Sequence, residues 1–233
     1  MNILWIVAAR SGSKSLPNKN IRELGGQPLL SYRIKSALEC KIESEVWLST
    51  DSEEYAKIGI RYGAKVPFIR PEELSTDNAN SVDVVLHAMN HAQQKNLKFE
   101  LVGLLEPTSP FITSTQLEQA VNDLIEDKTA DSIVAVRRQR PATIYIQKKN
   151  KYLNDLAARI SRQNLQNRQA NDIEITPSGG FYISKWKNFL INKTFYTLNT
   201  MPYEVDDICG LEIDETIDWL FAEFIITNNL NKR

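Results

Sequence analysis

The sequence has little cysteine and no long apolar run, and each absence excludes a class of protein. Cys40 and Cys209 are its only cysteines. Two are too few for a disulfide framework or a four-ligand zinc site, so we expect buried or half-buried thiols. No stretch approaches the roughly 20 apolar residues that span a bilayer, and the first residues lack the basic region and cleavage site of a signal peptide. The sequence therefore predicts a cytoplasmic protein.

An excess of charge of either sign is also missing. The 233 residues include 28 basic and 29 acidic side chains, for a formal net charge of −1. General binding to nucleic acid or to an anionic membrane surface requires a basic excess, so the composition argues against both. With 42% hydrophobic residues the chain can bury one sizeable core. Any anion site must therefore be a local cluster of cations.

Apolar runs of strand length alternate with segments of helical period. Alternation of this kind is typical of a largely parallel sheet covered by helices on both faces. We therefore predict a three-layer α/β/α fold of the Rossmann-like nucleotidyltransferase type. The predicted strands are 3–9, 45–50, 99–105, 131–136, 179–184 and 209–213, and the predicted helices are 28–40, 51–63, 80–94, 114–127 and 215–229.

The alternation is interrupted between 138 and 176. Residues 143–153 have the pattern of a hairpin that turns at Lys149 and Asn150, and a polar segment follows. The hairpin has too few apolar residues for a core of its own, so we expect it to pack against another subunit or its own domain. We predict one domain, 1–233, with 138–176 as an insertion.

The loop after the first predicted strand, AARSGSKSLPNKN at 8–20, concentrates cations in a chain that has no basic excess. It carries Arg10, Lys14 and Lys19 and no acid. The first strand-to-helix loop of an α/β sheet is a favoured phosphate site, where backbone N–H groups and cationic side chains supply the chemistry. The loop matches neither the Walker A pattern nor G-x-G-x-x-G. From the residues alone, an anion site and a solvated basic loop both stay open.

The same loop resembles the signature A-R-x-G-S-K-G-x-P-x-K-N of the acylneuraminate cytidylyltransferases, which activate sialic acid and related nonulosonic acids as CMP-sugars. Further segments resemble the family in the same order along the chain. They are LSTDSEEYAKIGIRYGAKV, IRPEELSTDNANS, LLEPTSPF, NRQANDIEITPSGGFYI and LEIDETIDW. Several ordered matches with similar spacing identify the chain as a member of this family.

The resemblance implies a CTP site built largely on the loop. It places the cations Arg10, Lys14 and Lys19 against the phosphates. The family's Gly after the lysine is Ser15 here, which would be strained if that position needs a positive φ. The remaining residues that the resemblance assigns to the nucleotide are Ala9, Gly12, Ser13, Asn20, Arg70 and Ser81.

Acids near the end of the chain are candidates for a Mg²⁺ site. Glu212 and Asp214 are two apart on a predicted strand, so they would point to the same face. The alternative is that Asp214 merely caps the helix that follows. The family's D-I-D segment implies the metal role for Asp214. Glu106 stands where the family usually has Gln, and our hypothesis is that its carboxylate joins Asp214 around the metal.

The resemblance places Arg168 and Gln169 at the acid sugar, together with position 106. Three family positions differ here: Ile112 and Thr176 replace arginines and Ser178 replaces asparagine, which predicts a sugar pocket of altered polarity. The sequence has only two histidines, His87 and His91, four apart on a predicted helix. They have no evident third metal ligand, so we expect them on a solvated helical face.

The resemblance as a whole implies a Mg²⁺-dependent enzyme that joins CTP and a nonulosonic acid into CMP-sugar and pyrophosphate. It also implies a homodimer formed through the inserted segment. Two alternatives stay open: a related nucleotidyltransferase for another acid sugar, such as 3-deoxy-octulosonate, or another NTP, and a non-catalytic nucleotide-binding homologue. The second is prompted by Ser15, Glu106 and Ile112.

Overall fold

The fold is organised around a six-stranded sheet with the first apolar run of the chain inside it. The computed structural model describes residues 2–13, 15–139 and 174–231. The strand order is β4-β1-β5-β7-β6-β8. The strands are β1 Asn2–Ala8, β4 Glu43–Ser49, β5 Leu101–Leu105, β6 Ser132–Gln139, β7 Glu174–Lys185 and β8 Thr200–Glu204, and a separate small hairpin consists of β2 Glu23–Leu24 and β3 Gln27–Pro28.

Most neighbours in this sheet are parallel, with one strand inserted in reverse. β1 pairs in parallel with β4 and β5, and β6 pairs in parallel with β8. β7 runs antiparallel between β5 and β6. The parallel strands β1, β4 and β5 therefore end at one edge of the sheet, where α/β proteins bind ligands.

Helices cover both faces, because alternate residues of the central strands are apolar in both directions. Ile3 and Trp5 of β1 pack in the cluster that contains Leu117 of α4, and Leu4 packs in the cluster that contains Val85 of α3. This confirms the predicted α/β/α layering. The helices are α1 Leu29–Leu38, α2 Glu53–Arg61, α3 Ser81–Gln94, α4 Ser114–Glu126, α5 Trp186–Asn192 and α6 Thr216–Thr227.

A third apolar cluster holds the last helix against the loop that follows β1. Leu16 of the loop packs in one cluster with Leu211, Ile213 and Trp219, so the two ends of the chain meet there. None of the helices among the described residues is long and apolar enough to cross a bilayer. The packing brings the cation-rich loop next to the acids that precede α6.

The structure departs from the predicted elements in the last third of the chain. The predicted strand 209–213 is wrong: Asp206 Oδ1 accepts from the N–H groups of Ile208 and Cys209, which makes a turn, and the following residues lie outside the sheet. β8 and α5 were not predicted. The ends of the predicted insertion belong to β6 and β7, which pair as far as Gln139 and Glu174. The predicted hairpin at 143–153 lies outside the described residues.

Candidate active site

A cavity of about 360 Å³ opens at the carboxyl ends of β1 and β5. Its walls come from the loop after β1, the segment between α2 and α3, the residues that follow β5, and the residue two before α6. The structure brings eight of the predicted site residues together in this wall: Arg10, Ser13, Lys19, Asn20, Arg70, Ser81, Glu106 and Asp214.

The loop after β1 is held to the sheet edge by its backbone. Ala9 N–H donates to Ser49 O at the end of β4 (3.0 Å), and Asp51 accepts from both the backbone N–H and the hydroxyl of Ser11 (2.8 and 2.9 Å). Ala9 is fully buried in the core, so its predicted place at the nucleotide is limited to its backbone. Space is open around Gly12, as a loop that covers a ligand requires.

Arg10 forms an ion pair across the mouth of the cavity. Its Nη1 lies 2.6 Å from Asp77 Oδ1, and both side chains are about one-third exposed (35% and 38%). A pair this exposed contributes little to stability, so an incoming anion can replace the carboxylate at low cost. Asp77 was not predicted as a site residue, although it lies inside the segment IRPEELSTDNANS.

Lys19 is a buried cation of the site. The residue is 9% exposed, and its Nζ donates to Ile213 O (2.7 Å) and to Asp214 Oδ1 (3.1 Å). The short 3-10 turn Lys19–Ile21 begins after Asn18, which adopts the left-handed conformation (φ 55). Lys19 thus joins the first loop to the segment before α6 and leaves an ammonium group in the cavity wall.

Arg70 presents guanidinium N–H groups that have no partner among the described residues. Its backbone N–H donates to Thr50 O (2.7 Å) and the residue is 5% exposed, but Nε and Nη2 are buried and unbonded. Burial lowers the pKa of Arg70. Because unpaired buried donors cost free energy, a group that faces a cavity in this state is a strong candidate for a ligand contact.

Asp214 does not cap the last helix. The N-cap of α6 is Glu215, in a capping box with Asp218, and Asp218 Oδ2 accepts from the N–H of Asp214 itself (3.0 Å). The Asp214 carboxylate is 67% exposed and lies at Lys19 in the cavity wall. The alternative reading of Asp214 as a helix cap is therefore wrong.

Glu106 and Glu212 converge on a glycine in β7. Gly179 has a φ of +59, and a methyl group added to it would lie 2.9 Å from Glu106 Oε2 and 3.1 Å from Glu212 Cδ. Burial, reinforced by Glu212 and then Asp214 and partly offset by Lys19, raises the pKa of Glu106 to about 7. Burial and then Asp214 also raise the pKa of Glu212. Glu212 and Asp214 do not lie on a strand, so the strand argument that they share a face was wrong.

The core accommodates one departure from the family pattern. Ile112 is 2% exposed and packs in the core cluster, so its side chain does not face the cavity. Thr176 of β7 pairs with Arg137 of β6, and Ser178 is fully buried.

The two histidines were expected on a solvated helical face, and that prediction is wrong. Both are half-buried against aromatic rings. His87 lies edge-on to Phe68 with ring centroids 4.5 Å apart, and His91 contacts Phe68 and Trp47. Burial lowers the pKa of His87, and His91 and Arg70 lower it further. In the described part of the chain no group of three His, Cys, Asp or Glu side chains could hold a metal. The histidines are packing residues.

A smaller cavity of about 240 Å³ adjoins the first, and both are lined by Ser81 and Leu104. Tyr182 and Tyr196 form its aromatic wall, with ring centroids 6.3 Å apart. Burial, and then Glu106, raises the pKa of Tyr182. The sequence analysis did not single out these tyrosines, although Tyr182 lies in the matched segment ending GGFYI. Lys14, Arg168 and Gln169 lie outside the described residues.

Comparisons with known proteins identify the family and the fold. Residues 4–219 match the cytidylyltransferase family. The chain is 34% identical to CMP-N,N'-diacetyllegionaminic acid synthase of Legionella pneumophila over 98% of both chains, and 34% identical to N-acylneuraminate cytidylyltransferase of Escherichia coli over 94% of this chain and 51% of that relative. The solved structure of CMP:2-keto-3-deoxy-manno-octonic acid synthetase complexed with CTP has the same fold, with a TM-score of 0.71 at 14% identity over 98% of this chain and 100% of that one. The resemblance found in the sequence is confirmed: the chain belongs to the cytidylyltransferase family of nucleotidyltransferases.

Proposed function

We propose that the protein joins CTP to a nonulosonic acid of the sialic or legionaminic type and releases pyrophosphate. The observation that carries this proposal is the meeting of cations and carboxyl groups in one cavity wall. Arg10, Lys19 and Arg70 bring cationic donors to it, and Glu106 and Asp214 bring carboxyl groups. Two relatives at 34% identity are named for synthesis of such CMP-sugars. The cytoplasm, where CTP is available, is the proposed location.

Each part of the wall has a proposed role at the nucleotide. Arg10, Lys14 and Lys19 bind the triphosphate, with Arg10 exchanging Asp77 for a phosphate oxygen. Arg70 donates its unpaired N–H groups to the nucleotide. Ser13, Asn20 and Ser81 orient it, together with the backbone at Ala9 and Gly12. Asn20 is already held by a bond from its Nδ2 to Arg10 O (3.0 Å).

The carboxylates fit a magnesium ion. Asp214 and Glu106 supply the oxygen ligands that Mg²⁺ prefers, and Glu212 approaches the same place. One or two carboxylates suffice at a magnesium–nucleotide site, since phosphates complete the coordination. When bound, the ion would offset the charge that develops on the phosphates. We propose Asp214 as the principal ligand, with either Glu106 or Glu212 as a second. A complex with CTP and Mg²⁺ in which the Glu106 oxygens lie far from the metal would contradict Glu106 as that second ligand.

The acid sugar is proposed to lie on the Glu106 side of the cavity. Arg168 and Gln169 are proposed to bind it, with Arg168 facing its carboxylate. The adjoining aromatic cavity opens from the same side, because it shares Leu104 with the nucleotide cavity and its tyrosines lie near Glu106.

The test is pyrophosphate release from a panel of NTPs and acid sugars with Mg²⁺ present. We expect turnover with CTP and a nonulosonic acid, and little with 3-deoxy-octulosonate or with other NTPs. Turnover only with 3-deoxy-octulosonate would establish the first alternative. CTP binding without turnover of any acid sugar would contradict the proposal. Arg168→Ala is expected to raise the KM for the sugar and to leave the KM for CTP within about threefold.

We further propose one nucleotidyltransferase domain that functions as a homodimer, with segment 138–176 at the contact. The support is the small apolar hairpin predicted from the sequence at 143–153 and the continuous packing of the described residues around one sheet. One of the departures that prompted a non-catalytic alternative, Ile112, is buried in the core and does not line the cavity. Ser15 and Glu106 remain as reasons for it.

A further inference from the structure

The strand β7 is interrupted beside the cavity. β6 and β7 pair at Val134 with Tyr182 and again at Val136 with Pro177, so a single β6 residue faces the four β7 residues 178–181. We call residues 178–181 the β7 bulge. All four are buried. Buried backbone groups need hydrogen-bond partners, and the bulge lies outside the regular ladder, so its carbonyls must find them elsewhere.

Side chains from other elements supply partners for two of these carbonyls. Ser109 Oγ donates to Ser178 O (3.3 Å), and Arg33 of α1 donates from Nη2 to Gly180 O (3.0 Å). Arg33 also donates from Nη1 to Ile112 O (2.9 Å). One guanidinium group therefore joins the β7 bulge to the loop between β5 and α4.

Burying the charged Arg33 side chain at this position costs free energy. It is 0% exposed, its Nε has no partner among the described residues, and no salt bridge of the described residues includes it. Burial lowers its pKa to about 9, which still leaves a cation at neutral pH. Buried charges are often no better for stability than apolar side chains of similar volume. Stability alone therefore does not explain why a cation occupies this position.

The bulge that Arg33 holds lies against two acids of the site. Gly179 is the neighbour of Gly180, and its backbone approaches both Glu106 and Glu212 so closely that an added methyl group would lie 2.9 Å from the former. A shift of the bulge by a fraction of an ångström would change the room for both carboxylates. A displacement of reacting or positioning groups by about 1 Å can lower the reaction rate about 100-fold.

We propose that Arg33 is a positioning residue, which fixes Glu106 and Glu212 by holding the carbonyl of Gly180. The proposal rests on the proposed function, since it assigns these acids to the reaction. Among the described residues, the hydrogen bonds of the Arg33 guanidinium go to Ile112 O and Gly180 O and not to Arg10, Lys19 or Arg70. Loss of Arg33 should therefore lower kcat and leave CTP binding intact.

The experiment compares Arg33→Met and Arg33→Lys with Ser36→Ala. Ser36 is the matched control, because it is buried on the same helix and its hydroxyl donates to Arg33 O, not to the bulge (3.2 Å). We expect kcat for CMP-sugar synthesis to fall about 10- to 100-fold in Arg33→Met and less in Arg33→Lys, which keeps one donor group. CTP titration by calorimetry should give a Kd within about threefold of wild type. It should also give one site per chain, and a lower number of sites would reveal a fraction of unfolded protein.

Three results would overturn the proposal. They are a wild-type kcat in Arg33→Met, an equal loss in Ser36→Ala, or a loss in Arg33→Met fully accounted for by fewer CTP sites. If Arg33→Met does not fold, the test rests on Arg33→Lys. A wild-type kcat in Arg33→Lys, with CTP binding intact, would contradict the positioning role of Arg33. A wild-type enzyme that turns over no acid sugar would instead contradict the proposed function.

Discussion

At the scale of single residues, Asp214 and Asp218 are four positions apart and have different tasks. Asp218 closes the capping box of α6, while the Asp214 carboxylate lies 3.1 Å from Lys19 Nζ in the cavity wall. A helix cap of this kind contributes about 1 kcal/mol, and a proposed metal ligand contributes to turnover. The two functions can be separated by mutation.

We predict that Asp214→Asn lowers turnover about 100-fold and leaves the unfolding midpoint near that of wild type. Asp218→Ala should lower the midpoint by about 2–4 °C, because it removes the box. Thermal unfolding followed by circular dichroism, beside a pyrophosphate assay, measures both. If Asp214→Asn destabilised the fold as much as Asp218→Ala, Asp214 would be a structural residue.

Lys19 gives a second prediction at this scale. Its residue is buried and its ammonium group lies in the cavity wall, so Lys19→Met should reduce kcat/KM for CTP about 100-fold and change the KM for the acid sugar little. Lys65→Met is the control, since Lys65 pairs with Glu45 at 2.8 Å on an exposed surface. An effect confined to the sugar would contradict the assignment of Lys19 to phosphate.

At the scale of elements, α3 carries a titratable group that the site does not use. His87 packs on Phe68, and the charged or titratable groups that influence it are His91, Arg70 and Glu73. Burial lowers its pKa below 6.5, so folding favours the neutral imidazole. A group of this sign stabilises the fold above the unfolded-state pKa, and that stability is lost as the pH falls through the folded-state pKa.

We therefore predict that the wild-type midpoint of unfolding falls as the pH drops below 6.5, and that His87→Gln reduces this dependence. Melting curves of both proteins between about pH 8 and pH 5 provide the measurement. The difference between the two curves measures the effect of replacing His87. Parallel curves would show that the imidazole is not perturbed by folding.

Some helices and strands could be predicted from the sequence and others could not. β1, α2 and α4 were predicted because their signals are local: a buried apolar run, the Ser52 cap that accepts from Tyr55 N–H, and the capping box of Thr113 and Gln116. The stretch 209–213 has strand composition, yet Asp206 turns the chain and its apolar residues pack on α6 instead. β8 contains Pro202, which argues against a strand unless it lies at a sheet edge, where β8 in fact lies.

In the candidate site, too, some residues were predicted from the sequence and others were missed. Arg10, Lys19 and Asp214 were found because matched motifs carry them, and the structure places them in one wall. Asp77 and Arg33 were missed because their partners are distant in the chain: Arg10 for the first, and Ile112 and Gly180 for the second. No spacing rule links such positions. Only the packed fold shows that they touch.

At the scale of the whole molecule, the homodimer is the proposal most open to test. The chain has a mass of 26.6 kDa, so sedimentation velocity at micromolar concentration should give a species near twice that value. Ile146→Glu, in the hairpin predicted from the sequence, should shift it to the monomer. Ile191→Glu is the control, because Ile191 is 78% exposed on α5. A wild-type monomer would contradict the proposed contact.

The bond from Lys19 to the carbonyl of Ile213 joins residues that are 194 positions apart. Closing so long a loop is slow compared with forming a helix, so contacts of this kind form late in folding. During synthesis, the segment before α6 leaves the ribosome only after nearly the whole sheet has been made. The protein should therefore acquire its helical content before it can bind a nucleotide, and a newly made chain should stay inactive until its last helix has docked.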